Sequence, residues 1–322
     1  MMETMILAHH LNKSYGDTRA VVDLNLRVSA GEIYGLVGPD GAGKTTTMRT
    51  LCGALQIDQD REGVESEIRI AGYDILRQTE QARALIGYLP QRFSLYEELT
   101  VMENIRFFAE VRGLTASEWR PRCLEILQFV GLDQFVDRRA GQLSGGMKQK
   151  LGLAAALVHY PRVLLLDEPT TGVDPVTRQD FWQLIIRLIT PANNHGEGVA
   201  VLVSTPYMDE AARCARVGFM QKGHLLVEGT PAELRALLAG RILELRGHPL
   251  NVLRRLAESE LDVEDVQMFG DRMHLRVRKG KLKEAVDHLQ ALLLEEGLDD
   301  CSIQQVPPQL EDIFSSLSEM EK

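Results

Sequence analysis

The chain has 322 residues, of which 44% are apolar and 25% are charged, and its formal net charge is -10. This length is enough for about two domains, each with a buried core. The acidic balance argues against a general nucleic-acid-binding protein, whose surface would be basic. No uncharged apolar run reaches roughly 18 residues, so no segment is expected to span a bilayer by itself.

The beginning of the chain and its cysteines favour a cytoplasmic protein. The first residues, MMETMILAHHLNKSYG, lack a basic flank followed by an apolar signal core. The cysteines stand singly, which favours reduced buried thiols over a disulfide framework or a metal site. They are Cys52, Cys123, Cys214 and Cys301.

Short strands are predicted over about residues 6–28, and a glycine-rich loop follows the next apolar run, residues 33–37. The loop reads Gly38-Pro39-Asp40-Gly41-Ala42-Gly43-Lys44-Thr45-Thr46, and a helix is predicted over residues 46–55. A strand, a glycine loop and Lys-Thr at a helix start form the full context of a P-loop. Its backbone wraps phosphates, Lys44 supplies positive charge, and the Thr45 hydroxyl can bind Mg²⁺. A structural glycine turn is the competing interpretation.

A second stretch reads QLSGGMKQKLGLAAALVHYPRVLLLDEPTTGVDP and starts at residue 142. In its first part, Ser144, Gly145 and Gly146 precede an apolar helical run. The free N–H groups and dipole of a helix start favour an anion, so this segment is predicted to face a phosphate. A flexible turn would be the alternative if this motif stood alone.

The same stretch continues with an apolar run over residues 163–166 that ends in Asp167 and Glu168. Such a run predicts a buried parallel strand with two carboxylates at its carboxyl end. Ligands of open α/β sheets bind at that edge.

LSGGMKQ followed by VLLLDEPTTGVDP, with a P-loop upstream, resembles the signature motif, Walker B strand and D-loop of ABC-type ATPases, the nucleotide-binding components of ABC transporters. The resemblance covers nearly all of residues 1–240. It implies an α/β P-loop NTPase core, an antiparallel β lobe and a helical subdomain over about residues 100–158. Only about a hundred residues separate Lys44 from Ser144, which disfavours ATPases that carry long coiled coils at this place.

The resemblance implies that ATP binds the glycine-rich loop and that adenine stacks on Tyr15, although this ring could instead cap the sheet edge. It implies Mg²⁺ ligation by Thr45, by Gln91 of the Q-loop, and by Asp167 through water. Alone, Gln91 would read as a polar residue leaving a strand. The acidic Asp40 stands where the family often has asparagine and is treated as a tolerated variant.

Catalytic roles are implied for Glu168, which would polarise the attacking water, for Lys44 on the outer phosphates, and for the D-loop residue Asp174. Asp174 would reach across a dimer interface, or cap the helix Pro175–Ile189, or both. In an ABC dimer the signature segment serves the ATP of the second ATPase domain. The signature residues expected to do so are Ser144, Gly145, Gly146, Met147 and Gln149.

One position departs from the family. After a predicted strand over residues 199–204, Pro206 stands where members usually carry the H-loop histidine. Proline donates no hydrogen bond from its side chain or its backbone nitrogen. We therefore expect an impaired site in an asymmetric pair of ATPase domains, unless Tyr207 or a water replaces the histidine.

Residues 241–322 form a predicted C-terminal α+β domain of accessory or regulatory role. Its elements follow the order β-α-β-β-α-β of a ferredoxin-like unit. The closing sequence PPQLEDIF resembles that of the type-two drug- and antibiotic-efflux ATPases. Residues 56–70, by contrast, predict a surface loop without evident chemistry.

The resemblance implies the ATP-binding subunit of an export system at the cytoplasmic face of the inner membrane. Its expected partners are a multi-span permease and a second ATPase domain, as a homodimer or an asymmetric heterodimer, with no nucleic acid. A soluble ABC ATPase of translation or DNA repair is the alternative, but the tandem cores or metal-binding inserts of those proteins are not seen. A regulatory nucleotide sensor is a third interpretation, favoured only by Pro206.

Overall fold

A computed structural model describes residues 3–58, 66–92, 94–190, 198–298 and 300–319. Residues 59–65 of the predicted surface loop at 56–70 therefore lie outside the described residues. The chain divides into two compact units, Met1–Glu228 and Gly229–Lys322. In the described ranges, no helix combines the length and apolar character needed to cross a membrane.

The first unit contains ten strands, seven α-helices and two short 3₁₀ helices, Asp133–Phe135 and Ala140–Gln142, among its described residues. The strands are β1 (Thr4–Tyr15), β2 (Thr18–Ser29), β3 (Ile33–Val37), β4 (Glu67–Ile70), β5 (Tyr73–Asp74), β6 (Ile86–Leu89), β7 (Val163–Asp167), β8 (Ala200–Thr205), β9 (Arg216–Gln221) and β10 (His224–Gly229). The helices are α1 (Lys44–Leu51), α2 (Thr79–Ala84), α3 (Val101–Val111), α4 (Ala116–Val130), α5 (Gly145–Leu157), α6 (Pro175–Ile189) and α7 (Met208–Ala211).

The central sheet has the order β10-β9-β3-β8-β7-β6. The pairs β6–β7, β7–β8, β3–β8 and β3–β9 are parallel. Every residue of β3, β7 and β8 is buried, as expected for strands covered on both faces. Because the strands run the same way, Asp167 pairs with Ser204 and Val37 with Thr205 at the carboxyl edge.

A second sheet, β2-β1-β4-β5, forms the antiparallel lobe. The short strands predicted over residues 6–28 are in fact two long strands of 12 residues each. Register shifts between Ala8 and Leu11 and between Leu11 and Lys13 interrupt the alternation of a regular strand. The sequence pattern therefore looks fragmented although the pairing continues.

Three helices, α3, α4 and α5, follow the P-loop and precede β7 in the chain, and they pack on one another. Capping boxes begin α3 at Thr100 and α4 at Thr115, and Ser144 caps α5. The helix predicted over residues 46–55 instead spans Lys44–Leu51. It ends early because Gly53 adopts a left-handed conformation, with φ of 69°.

The second unit contains α8 (Pro231–Ala236), β11 (Ile242–Arg246), α9 (Leu250–Ser259), β12 (Val263–Phe269), β13 (Arg272–Val277), α10 (Leu282–Glu295), β14 (Ser302–Gln305) and α11 (Leu310–Glu319). Its strands form an antiparallel sheet of order β12-β13-β11-β14. Apolar residues of α9 and α10 pack on this sheet. Helix α11 was not predicted. The closing motif forms it, with Leu310 and Ile313 buried.

Candidate functional site

The glycine-rich loop, residues 38–43, connects β3 to α1 at the carboxyl edge of the central sheet. A Cβ on Gly38 would lie 2.0 Å from the Met220 carbonyl oxygen, so only glycine fits there. The Lys44 ammonium donates to the carbonyl oxygens of Gly38 at 2.8 Å and Pro39 at 3.0 Å. The lysine is 3% exposed, and its charge is therefore held inside the loop.

Asp167, at the end of β7, is fully buried. Its Oδ1 accepts hydrogen bonds from the Thr45 hydroxyl at 3.0 Å and from the Ser204 hydroxyl at 2.8 Å. The Tyr88 hydroxyl lies 3.4 Å from its Oδ2. Burial raises the pKa of this carboxyl above its usual range, so the site favours a nearby positive charge.

Glu168 follows directly and is 6% exposed. Its Oε1 lies 3.1 Å from the Lys44 ammonium, and its Oε2 accepts from the Gln91 amide at 2.9 Å and from the Thr171 hydroxyl at 3.3 Å. Its backbone N–H donates to the Ser204 hydroxyl at 2.9 Å. The structure thus brings Glu168, Lys44 and Gln91 together beside Asp167.

This cluster has the donor types that Mg²⁺ prefers. Thr45 offers a hydroxyl oxygen, Asp167 a carboxylate and Gln91 an amide oxygen, and magnesium usually completes its shell with water and substrate phosphates. Within the described ranges, no group of three or more His, Cys, Asp or Glu side chains forms a metal cage. A cation shared with phosphates fits these residues better than an ion enclosed by protein alone.

Two predicted residues lie outside the hydrogen bonds of this cluster. Tyr15 ends β1 with 49% of its surface exposed, and the Lys13 ammonium lies 5.9 Å from its ring centroid. Asp174 caps α6 by accepting from the Thr177 N–H at 3.0 Å, and hydrogen bonds from Thr177 lower the pKa of this carboxyl. The capping role is therefore observed, and a role across a dimer interface stays a prediction.

The signature segment lies at the start of α5. The Ser144 hydroxyl accepts from the Met147 N–H at 3.3 Å, and Gly145 is exposed. In contrast, Gly146 is buried against Thr177, and Gln149 is 5% exposed. The hydrogen bonds that join the P-loop to Asp167 and Glu168 include none of these residues, so the predicted phosphate-facing helix start is a separate surface.

Ser204 and Tyr88 touch Asp167 but were not among the predicted site residues. Both lie on strands that neighbour β7, near its carboxyl end. The signal in the sequence that could have identified them is a polar residue near the carboxyl end of an otherwise apolar strand. Position 206 holds proline where the resemblance leads one to expect the H-loop histidine. On its two sides, the Thr205 hydroxyl accepts a hydrogen bond from the Tyr207 N–H at 3.0 Å.

Comparison with known proteins gives one consistent result. The family described as ABC transporter matches residues 21–171. The chain is 39% identical to the probable multidrug ABC transporter ATP-binding protein YbhF of Escherichia coli (strain K12), over 98% of this chain and 52% of YbhF. It is 34% identical to the daunorubicin resistance ATP-binding protein DrrA3 of Streptomyces coeruleorubidus, over 99% of this chain and 97% of DrrA3. The bacterial ABC transporter cassette MJ0796, solved as a dimer, superposes with a TM-score of 0.61 at 27% identity, over 70% of this chain and 98% of that one. The chain spans about half the length of YbhF.

Proposed function

This chain belongs to the family of ABC transporter ATP-binding proteins, and from that membership we propose that it hydrolyses ATP to drive an export system. Its relatives include multidrug and antibiotic-resistance proteins of the type-two exporter group. The names of these relatives concern export and drug or antibiotic resistance, so they give no support to a role in translation or DNA repair.

The observation that carries this proposal is the cluster of Lys44, Thr45, Asp167 and Glu168 at one edge of the central sheet, in which the lysine and both carboxylates are buried. The loop amides and Lys44 bind the phosphates of ATP, and Thr45, Gln91 and Asp167 would hold Mg²⁺, which would supply positive charge beside the phosphates. Glu168 orients the attacking water and accepts its proton.

Lys44 and Glu168 pair with each other at 3.1 Å. Phosphate oxygens compete with Glu168 for the lysine ammonium, because both are anionic acceptors. Nucleotide entry therefore loosens the ion pair and frees Glu168 to act as a base. The chemistry needs no covalent intermediate, since phosphoryl transfer depends mainly on positioning and charge stabilisation.

Single substitutions of the two members of this ion pair test the proposal. Lys44→Ala is expected to abolish tight nucleotide binding, and Glu168→Gln to retain binding while turnover falls at least a hundredfold. The exposed ion pair of Lys281 and Glu284, at 3.3 Å, offers matched controls. Lys281→Ala and Glu284→Gln are expected to leave nucleotide binding and ATP turnover unchanged. Wild-type turnover in the Lys44→Ala variant would overturn the assignment.

We further propose that two ATPase domains enclose ATP between them. The exposed Ser144 and Gly145 at the start of α5 present backbone N–H groups that suit a phosphate held by the other domain's glycine-rich loop. The dimeric state of MJ0796 supports this arrangement. Light scattering with and without a non-hydrolysable ATP analogue tests it for two copies of this chain, and a chain that stays monomeric with analogue bound would contradict that pairing.

The transported molecule would pass through a separate multi-span permease, at the cytoplasmic face of the inner membrane. A cavity of about 370 Å³ lies where Leu89 and Pro90, next to Gln91, meet the helices α3 and α5. Its lining includes Phe108, and the neighbouring Phe107 is partly exposed. A helix end of the permease fits such a partly apolar recess beside the nucleotide site. Co-purification with a multi-span membrane protein supports this partner, whereas purification with ribosomes or DNA would contradict it.

Pro206 leaves the switch position without a side-chain donor. We propose that this chain works in an asymmetric pair, in which its own site turns over slowly and its signature segment serves the partner's ATP. Loss of one positioned donor costs roughly 3–4 kcal/mol of transition-state stabilisation. Pro206→His is expected to raise the turnover of the isolated chain, and equally high rates for both proteins would refute the asymmetry.

A further inference from the structure

We propose that Glu210 is a positioning residue for ATP hydrolysis, because its buried carboxylate ties the loop that carries Glu168 to the loop that carries Pro206. This inference rests on the proposed function, since it assigns Glu210 a part in the same reaction. Glu210 lies on α7, and it was not among the predicted site residues.

The carboxylate of Glu210 is 1% exposed and receives one hydroxyl on each oxygen. Oε1 accepts from the Thr170 hydroxyl at 2.5 Å, and Oε2 accepts from the Thr205 hydroxyl at 2.6 Å. These distances are typical of charge-assisted O–H···O⁻ hydrogen bonds, which are about twice as strong as neutral ones. Thr170 and Thr205 are themselves 2% and 0% exposed, so water does not compete for these contacts.

The two threonines lie at the ends of different segments of the chain. Thr170 stands two residues after Glu168, and Thr205 ends β8 directly before Pro206. The Thr205 hydroxyl also accepts from the Tyr207 N–H at 3.0 Å, so the chain is held on both sides of the proline. Glu210 therefore joins the segment after β7 to the segment after β8 at the carboxyl edge of the sheet.

A third segment reaches the same carboxylate. Arg178, near the start of α6, places its Nε 3.8 Å from Oε1 of Glu210. Its Nη2 lies 3.5 Å from Asp209, and its guanidinium carbon lies 4.9 Å from the centre of the Tyr207 ring. The arginine supplies a positive charge to the buried carboxylate and links it to the helix that begins just after the D-loop.

Among side chains, only an ionised carboxylate offers two acceptor oxygens and no donor, so each oxygen of Glu210 can accept one threonine hydroxyl. When the clamp is intact, the loops of Glu168 and Pro206 keep one relative position. When either hydroxyl is removed, Glu168 loses support two residues away and its alignment with the attacking water loosens. Misplacement of a catalytic group by about 1 Å costs about a hundredfold in rate, while phosphate binding at the P-loop is made by other residues.

The clamp predicts a separation of kcat from KM. Thr170→Val and Thr205→Val are expected to lower kcat for ATP by about tenfold to a hundredfold, with KM changed by less than about threefold. Thr170→Ser and Thr205→Ser keep the hydroxyl and are expected to retain near wild-type kcat. Thr79→Val is the matched control, because the Thr79 hydroxyl donates to the Ile75 carbonyl oxygen at 2.8 Å and takes no part in the contacts of Glu210.

A merely structural role for these threonines would give a different result. If valine and serine variants lose kcat equally, or if kcat and nucleotide affinity fall together with the melting temperature, the proposal is overturned. The double variant Thr170→Val/Thr205→Val is expected to be little worse than either single variant, since one broken side already releases the clamp.

Hydrogen exchange separates a failure of this inference from a failure of the proposed function. If the wild-type chain shows no ATP turnover, the proposed function fails, yet the clamp is still measurable without nucleotide. Glu210→Gln is then expected to speed amide exchange in both residues 168–173 and residues 204–207. Faster exchange in neither loop, or in one loop alone, would overturn the clamp.

Discussion

The neighbouring signature glycines Gly145 and Gly146 should respond in opposite ways to an added methyl group. A Cβ on Gly146 would lie 2.1 Å from Cγ2 of Thr177 and 3.1 Å from its Cβ, so α5 and α6 must separate. Overpacking of this kind costs about 1–3 kcal/mol. A Cβ on Gly145 meets no atom within 4 Å, and alanine is favoured over glycine in a helix by about 0.5–1 kcal/mol.

We therefore expect Gly146→Ala to lower the melting temperature of the first unit by roughly 2–12 °C, at about 2–4 °C for each kcal/mol in a unit of this size. Gly145→Ala should leave the melting temperature unchanged or slightly higher. It should nevertheless abolish analogue-dependent dimerisation and turnover, because the methyl group covers the N–H groups that would face phosphate. Thermal unfolding, light scattering and ATP turnover measure the three effects. Full turnover in Gly145→Ala, or equal destabilisation by both substitutions, would refute the reasoning.

Three further predictions concern single residues. Gly38→Ala should weaken nucleotide binding, measured with a fluorescent ATP analogue, because its Cβ would lie 2.0 Å from a backbone oxygen that cannot move aside; wild-type affinity would contradict this. The hydrogen bond from Arg246 lowers the pKa of Glu244 to about 2, so its stabilisation is present above the ordinary value of 4.5 and is lost as pH falls from there to about 2. Denaturant unfolding at several pH values should show that slope in the wild type, and a Glu244→Gln variant that keeps the slope would exclude this cause. Asp312→Ala should destabilise the second unit by about 1–3 kcal/mol in the same assay, because it leaves Nδ1 of the buried His274, which lies 3.0 Å from Asp312, without a hydrogen-bond partner; a loss below about 0.5 kcal/mol would contradict the role of this contact.

The central sheet could be predicted closely because its strands are short, apolar throughout and bounded by polar residues. The predicted runs at 33–37 and 163–166 match β3 and most of β7. Because both faces of these strands are buried, their sequences are continuous apolar runs that are easy to recognise. The antiparallel lobe was predicted less well, since bulges within β1 break the alternation that identifies a long strand. Helix α11 was missed because its amphipathic pattern is short and follows two prolines.

The candidate site divides in the same way. The residues of the P-loop are neighbours in sequence, and so are the two carboxylates Asp167 and Glu168. The residue types within each of these short motifs were enough to predict the cluster at Asp167. Ser204 and Glu210 reach the same edge only through strand register and the turn into α7, which no local pattern encodes. Residues that hold a catalytic group in place are therefore harder to find from sequence than residues that touch the ligand.

Pro206 and Glu210 together permit one sharper test. If a histidine at position 206 is to contact ATP, its loop must be held where Thr205 and Glu210 now hold it. Pro206→His should consequently raise turnover only while the clamp is intact, and the gain should vanish in Pro206→His/Glu210→Gln. Steady-state ATP turnover of the two single variants and the double variant gives the coupling between the positions. Additive effects would mean that the loop keeps its position without Glu210, whereas a lost gain would assign the position of the switch loop to this buried carboxylate.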